Sequence, residues 1–197
     1  MSQVSITELI AGAISGHLVS FPTDTVPALA TLPEKADLIF DVKQRSKDKP
    51  LILIAASTDD LWSFVQGSDS EFEIWRQVAQ KYWPGALTLV LPSSAKVPSV
   101  MNPMNRTTIG IRVSNSPIAR QILSHTGPMA TSSANLSGKP ALQTMAEISI
   151  TFPKALTLRV TKEYEYMELL GSGLASTIAK WENKKSWQVL RQGQIEL

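Results

Sequence analysis

The order of segments predicts an α/β domain built around a mixed sheet, and three observations carry that expectation. Short β-branched runs alternate with stretches of helical period through the first two thirds of the chain. Strand candidates at 156–160, 176–180 and 186–191 follow without helices between them, which calls for mixed pairing and not a purely parallel sheet. The chain has 197 residues, 43% hydrophobic and 18% charged. That suits one domain, 1–197, burying on the order of 70% of its unfolded surface.

Ser5 and Glu8 have capping-box spacing, and Ile6, Leu9, Ile10 and Ala13 recur at helical intervals until Gly16, so a helix is expected over 6–15. His17 to Phe21 is a short apolar run between Gly16 and Pro22 and reads as a strand. Pro22 and Pro27 then enforce a loop that presents Thr23, Asp24 and Thr25 together. A helix is expected over 34–45, a buried strand over 51–55, and helices over 58–66 and 71–82, started by Ser57 with Asp60 and by Ser70 with Glu73. Trp83-Pro84-Gly85 is a turn before a strand at 86–91. The polar, proline-bearing stretch 92–106 is long enough to suggest a lid or a mobile rim. A strand at 107–113 carries Arg112, Ser116-Pro117 opens a helix to about residue 124, and a strand at 128–131 runs into the Ser-rich segment 132–138.

Composition excludes several functions. The net charge is +2, from 19 basic and 17 acidic residues, too small for a general polyanion binder. With no cysteine there is no thiol nucleophile, disulfide framework or Cys-based zinc site. His17 and His125 are far apart in sequence and read as structural. The stretch Leu9 to Phe21 lacks a basic flank and is interrupted by Gly12, Gly16 and His17, so it is not read as a signal peptide. No uncharged apolar run reaches the roughly 18–20 residues that span a bilayer. We expect no membrane association and a cytoplasmic location.

One stretch stands out chemically. Lys43, Arg45, Lys47 and Lys49 fall within seven positions against a single Asp48, just before the apolar run Leu51 to Ala56. Cations gathered at one point and shielded from water would hold phosphate or carboxylate; Arg45 offers a planar fork and Lys43 a point charge. The same residues also suit a solvated helix C-terminus. In Thr131 to Gly138, small hydroxyl and amide groups would let a ligand approach the backbone, although a Ser-rich turn has the same composition.

Taken together, Pro22-Thr23-Asp24-Thr25-Val26, Lys43-Gln44-Arg45 with Asp48 to Leu51, and Thr131 to Gly138 with its Ser133-Ala134-Asn135 resemble, in order and spacing, the motifs of the YrdC/Sua5 family, the threonylcarbamoyladenylate synthases. Trp83-Pro84-Gly85 before Leu87-Thr88, Gly110 to Val113, Ser176-Thr177-Ile178 and Leu190 to Gly193 add to the likeness, which covers nearly the whole chain. The resemblance implies a YrdC-like twisted mixed sheet with flanking helices and a basic concave cleft, in the short, single-domain form. It implies condensation of L-threonine, bicarbonate and ATP to threonylcarbamoyladenylate and pyrophosphate, with Mg2+ on the ATP and no protein-held metal site. Downstream transfer proteins would carry the group to adenosine 37 of tRNA.

By the same resemblance, Lys43 and Arg45 would hold ATP phosphates with help from Arg191, and Ser133 and Asn135 would bind the nucleotide from the opposite wall. Thr23 and Thr25 would line the threonine pocket, and Arg112 and Ser176 would contact the threonine carboxylate or the phosphates. Where the family usually continues Val-Tyr-Gly or Val-Phe-Gly, this chain has Val26-Pro27-Ala28, which bears on threonine specificity more than on nucleotide binding. Two other readings stay open from sequence: a diverged nucleotide-binding paralogue with another substrate, and a module that binds tRNA or double-stranded RNA weakly through a basic cleft, with affinity falling steeply in salt.

Overall fold

The computed structural model describes residues 3–161, 171–182 and 186–197. Among these residues ten strands form one mixed sheet in the order β1-β8-β2-β3-β7-β4-β6-β5-β9-β10. In chain order the strands are β1 Gln3–Val4, β2 Val19–Phe21, β3 Ala28–Thr31, β4 Ile52–Ala55, β5 Leu87–Pro92, β6 Thr108–Val113, β7 Met129–Ser133, β8 Leu156–Leu158, β9 Thr177–Glu182 and β10 Ser186–Arg191. The helices are α1 Ile6–Ile14, α2 Asp37–Lys43, α3 Asp69–Tyr82, α4 Pro117–Thr126 and α5 Met145–Thr151. Four pairs are parallel (β1 with β8, β8 with β2, β4 with β6, β5 with β9) and the other five antiparallel, as the mixed-sheet expectation requires.

Local chemistry explains most boundaries. Ser5 and Glu8 close the expected capping box on α1, and Gly16 turns the chain at φ +83°. α2 stops at Lys43 because Gln44 adopts the left-handed conformation, φ 50° and ψ 43°, while Arg45 N–H reaches back to Phe40 O at 2.9 Å. That reversal sends consecutive functional side chains in different directions: Lys43 stays packed under the helix and Arg45 emerges beyond it. Because Gln44 is exposed and a left-handed non-glycine residue costs roughly 1–2 kcal/mol, Gln44→Gly should raise stability by about 0.5–1 kcal/mol. Urea unfolding monitored by circular dichroism is the check; a loss of stability would count against the cap.

Four expectations change. The helix over 58–66 is only a 3-10 turn at Trp62–Phe64: Asp60 accepts from both Ser57 N–H and Ser57 Oγ, closing a turn, and Val65 already bridges to Ser93. α3 starts two residues early, capped by Ser68 with Glu71 and not by Ser70 with Glu73. β3 was not anticipated because all four of its residues are buried and its Ala-Leu-Ala sequence lacks alternation. α5 separates the Ser-rich segment from β8, signalled only by the capping box of Thr144 with Glu147. The stretch 92–106 is anchored in its middle, with Met101 fully buried and its carbonyl accepting from Leu51 N–H at 3.1 Å.

The core runs along the sheet under α1, α3 and α4, with Trp75 fully buried. Trp75 meets Trp181 edge to face at 5.9 Å, and Trp181 meets Trp187 at 5.1 Å, so the aromatic residues of α3 pack against the β9-β10 edge. They take no part in the cleft described next. His17 and His125 make local bonds to Gly12 O and Gln121 O.

Candidate active site

Side chains alternate across a strand, so one face of the sheet collects every second residue. On β4 these are Ile52 and Ile54, and Thr131 of β7 pairs with Ile52 while Ser133 pairs with Ala28 of β3. Ile54 pairs with Arg112 of β6, Leu89 of β5 pairs with Ile111, and Thr88 pairs with Ile178 of β9. One row therefore runs Ile54, Arg112, Thr88, Ile178. A bulge between Val189 and Arg191 then brings Arg191 of β10, and not Leu190, opposite Ile178. The extra residue turns the arginine onto the same face as Arg112.

Above this row lies a cavity of about 150 Å³, lined by these residues together with Thr23, Thr25, Pro27, Arg45 and Ser176 among others. Seven of the nine residues singled out from the sequence line it: Thr23, Thr25, Arg45, Arg112, Ser133, Ser176 and Arg191. Lys43 and Asn135 do not. Sequence reasoning passed over Ile52, Ile54 and Ile178, whose signal was strand alternation, and over Ser114; Asp24 and Ser132 lay within the motifs but were given no role, since that depends on folding.

At one end, Arg112 is organised from below. Its Nε donates to Gly85 O at 3.0 Å, one Nη to Thr25 Oγ1 at 2.8 Å and the other to Asp24 Oδ1 at 2.7 Å. Asp24 also accepts from the Ser114 hydroxyl. Thr23 Oγ1 donates to Val26 O at 2.7 Å, so it can only accept from Thr25 N–H and from Thr25 Oγ1, which lies 3.1 Å away. The direction of the chain is thereby set: Arg112 donates to Thr25, Thr25 to Thr23, and Thr23 to the loop backbone. The Thr23–Thr25 loop is further held by Ser172 N–H on Asp24 O and Gly173 N–H on Thr25 O.

At the other end stand Arg45 and Arg191. Arg45 Nε and one Nη donate to Lys49 O and Pro50 O at 3.0 and 3.1 Å, and Arg191 Nε donates to Ser176 O at 3.0 Å. Burial disfavours the charge on all three arginines; Asp24 supports Arg112 and Asp48 supports Arg45, whereas Arg191 opposes Arg45 and is itself opposed by Arg112. Guanidinium stays protonated regardless. Among the described residues Asp24 is the one carboxylate in direct ion-pair contact with these arginines; Asp48 acts on Arg45 only from beyond that distance, so Arg45 and Arg191 remain able to take an anion.

Lys43, expected from the resemblance to hold phosphate, lies behind the cleft wall and not among the cavity's lining residues. Its side chain is fully buried, and Nζ donates to Ser133 O, to Asn135 O at 2.6 Å and to Asn135 Oδ1 at 3.0 Å. Burial, and after it the repulsion of Arg45, lowers this ammonium to about 7; the three facing oxygens act in the opposite sense. Asn135 is equally committed, accepting from Ser133 Oγ at 2.6 Å and donating to Leu136 O and Lys139 O.

The C-terminal strand is held in place by a tight contact. Thr177 Oγ1 accepts from Gly193 N–H at 2.9 Å, and a Cβ on Gly193 would lie 2.5 Å from Ala175 O and 2.6 Å from Thr177 N. Gly193→Ala should therefore push residues 191–193 off β9 and take Arg191 out of register. We expect about a 100-fold loss of catalytic efficiency, the effect of a displacement near 1 Å, with the circular dichroism spectrum unchanged. Steady-state kinetics of the variant test this.

A family profile described as "Sua5_yciO_yrdC: Telomere recombination" matches residues 13–193. A Vibrio cholerae protein named threonylcarbamoyl-AMP synthase is 32% identical over 182 residues, covering 90% of this chain and 92% of that protein. A Pyrococcus abyssi protein of the same name is 40% identical over 138 residues, covering 68% of this chain but only 39% of the longer protein. The crystal structure of P. abyssi Sua5 complexed with L-threonine superposes with a TM-score of 0.80 at 29% identity, covering 95% of this chain and 54% of that one. With the profile spanning nearly every element that builds the cleft, the chain belongs to the Sua5/YciO/YrdC family.

Proposed function

We propose that the chain makes threonylcarbamoyladenylate from L-threonine, bicarbonate and ATP, releasing pyrophosphate and water. The observation that carries this reading is the cleft's pairing of two guanidiniums that have no carboxylate within ion-pair distance among the described residues, Arg45 and Arg191, with a hydroxyl-lined pocket at Thr23 and Thr25 ordered by Arg112. Polyphosphate suits the first end and a small polar amino acid the second. The names of the relatives and the threonine complex of P. abyssi Sua5 support the same assignment.

The chemistry needs no protein nucleophile. The threonine amine attacks the bicarbonate carbon and water leaves; a carbamate oxygen then attacks the α-phosphorus and pyrophosphate departs. What the protein supplies is position and charge. Arg45 and Arg191 would hold the phosphates and stabilise charge as pyrophosphate separates, with Ser133 on the facing wall and Ser176 beside Arg191. Thr23, Thr25 and Arg112 would seat the threonine. Lys43 and Asn135 would contribute from behind that wall.

Mg2+ would travel on the triphosphate. Asp24, the carboxylate paired with Arg112, is engaged by Arg112 and Ser114, so the ion's oxygens would come from phosphate and water, as this cation prefers. We further propose that the product passes to downstream proteins that modify tRNA, and that the chain works as one domain in the cytoplasm. No helix among the described residues is long and apolar enough to cross a membrane.

The test is a product assay with purified protein, ATP, Mg2+ and labelled bicarbonate, with and without L-threonine, scored for labelled adenylate and pyrophosphate. Threonine-dependent adenylate is the expected result. A second reading is favoured by Pro27 and Ala28, which line the cavity where the family usually has an aromatic residue and glycine: the same cleft acting on another amine. ATP binding without threonine-dependent product, and product with a different amine, would establish it instead. Salt-sensitive tRNA binding that is indifferent to ATP would argue for the RNA-binding alternative.

A further inference from the structure

The Ser133–Ser137 turn forms one wall of the cleft, and its shape depends on a group that the cleft never sees. Lys43 holds this turn from both its side chain and its backbone. Nζ donates to Ser133 O, Asn135 O and Asn135 Oδ1, and the Lys43 carbonyl accepts from Ser137 N–H at 3.1 Å. Three donors thus meet three oxygens, which is the full capacity of an ammonium group. Asn135 completes the lock: its amide spans to Leu136 O at 2.9 Å and Lys139 O at 2.7 Å, and its Oδ1 takes the Ser133 hydroxyl proton. Only Ser133 of these residues lines the cavity.

We propose that Lys43 is a positioning residue that fixes the 133–137 turn, so that it acts on a bound nucleotide through Ser133 and not by touching the phosphates. This rests on the reading of the cleft as an ATP site. The oxygens converge on a single nitrogen, so the planar fork of arginine cannot replace the ammonium there, although it carries the same charge. Charge alone is therefore not what the site requires. The separation of tasks follows from Gln44, whose left-handed conformation directs Lys43 inward and Arg45 into the cavity.

The experiment compares wild type, Lys43→Met and Lys43→Arg. Amide hydrogen exchange of the ligand-free proteins is read for peptides spanning 133–142, and ATP affinity, KM for ATP and KM for L-threonine are measured alongside. Both variants should exchange faster by about tenfold or more at the turn. Both should bind ATP at least about tenfold more weakly, while KM for threonine, set at the Arg112 end, moves by less than about twofold.

Lys43→Arg that keeps wild-type ATP affinity overturns the proposal. So does a ligand-free turn with unaltered exchange in a variant that has lost ATP binding, the signature of direct contact. If Lys43→Met does not fold, Asn135→Ala gives the comparison: it removes one of the three oxygens, and unaltered exchange there sinks the clamp. A wild-type protein that fails to bind ATP refutes the nucleotide reading alone, because the ligand-free exchange data still decide whether Lys43 holds the turn.

Discussion

Arg112→Ala should destabilise the protein by about 3–5 kcal/mol, the range for removing one partner of a buried ion pair, and should abolish turnover. Arg112 is 4% exposed and donates to three acceptors on two segments: Gly85 O in the Trp83-Pro84-Gly85 turn, and Thr25 Oγ1 and Asp24 Oδ1 in the Thr23–Thr25 loop. Without it the Asp24 carboxylate keeps Ser114 but loses its counter-charge, and Thr25 loses the donor that directs its own proton towards Thr23. Lysine cannot rescue the arrangement, since one ammonium cannot reach three acceptors spread around a planar fork. Urea unfolding of Arg112→Ala and Arg112→Lys measures the effect. A loss below about 1 kcal/mol, the size of a surface pair, would mean that the network is not what holds the Thr23–Thr25 loop.

Arg45→Ala and Arg191→Ala should have the opposite profile, with large losses of activity and little change in stability. Each should lower catalytic efficiency by about 100-fold or more, as removal of one preorganised donor does at other charge-developing sites. Stability should stay within about 0.5 kcal/mol, because Arg45 gives up bonds to Lys49 O and Pro50 O and a solvent-exposed attraction to Asp48, Arg191 gives up bonds to Ser176, and each removal relieves repulsion within the cluster. The double variant should lose most measurable ATP affinity. Isothermal calorimetry and thermal melts of the same samples separate the two quantities. If Arg45→Ala melts far below wild type, the cluster is holding the fold together and is not held ready for a ligand.

The contrast between these arginines shows how far residue type can be read without structure. All three were legible as anion-binding candidates, yet only folding decides that Arg112 is in direct contact with a carboxylate, Asp24, while Arg45 and Arg191 form no ion pair among the described residues. The same holds for Lys43 and Arg45, two positions apart in one motif. A single left-handed residue between them separates a buried clamp from a cavity-facing cation. No local pattern announced that conformation, since Gln is not the residue type usually found there.

What the sequence determined by itself is local: helix starts written as Ser5 with Glu8 and Ser116 with Pro117, strands written as short apolar runs, and motifs whose ordered set identified the family. Tertiary structure decided the rest. β3 was hidden because a strand buried on both faces has no alternation to read. The row from Ile54 through Arg112 and Thr88 to Ile178 and Arg191 exists only once β4, β6, β5, β9 and β10 are placed side by side, and a one-residue bulge settles which side chain of β10 joins it. Strand register and charge compensation are properties of pairs far apart in the chain, so they are fixed by the packing that brings those pairs together.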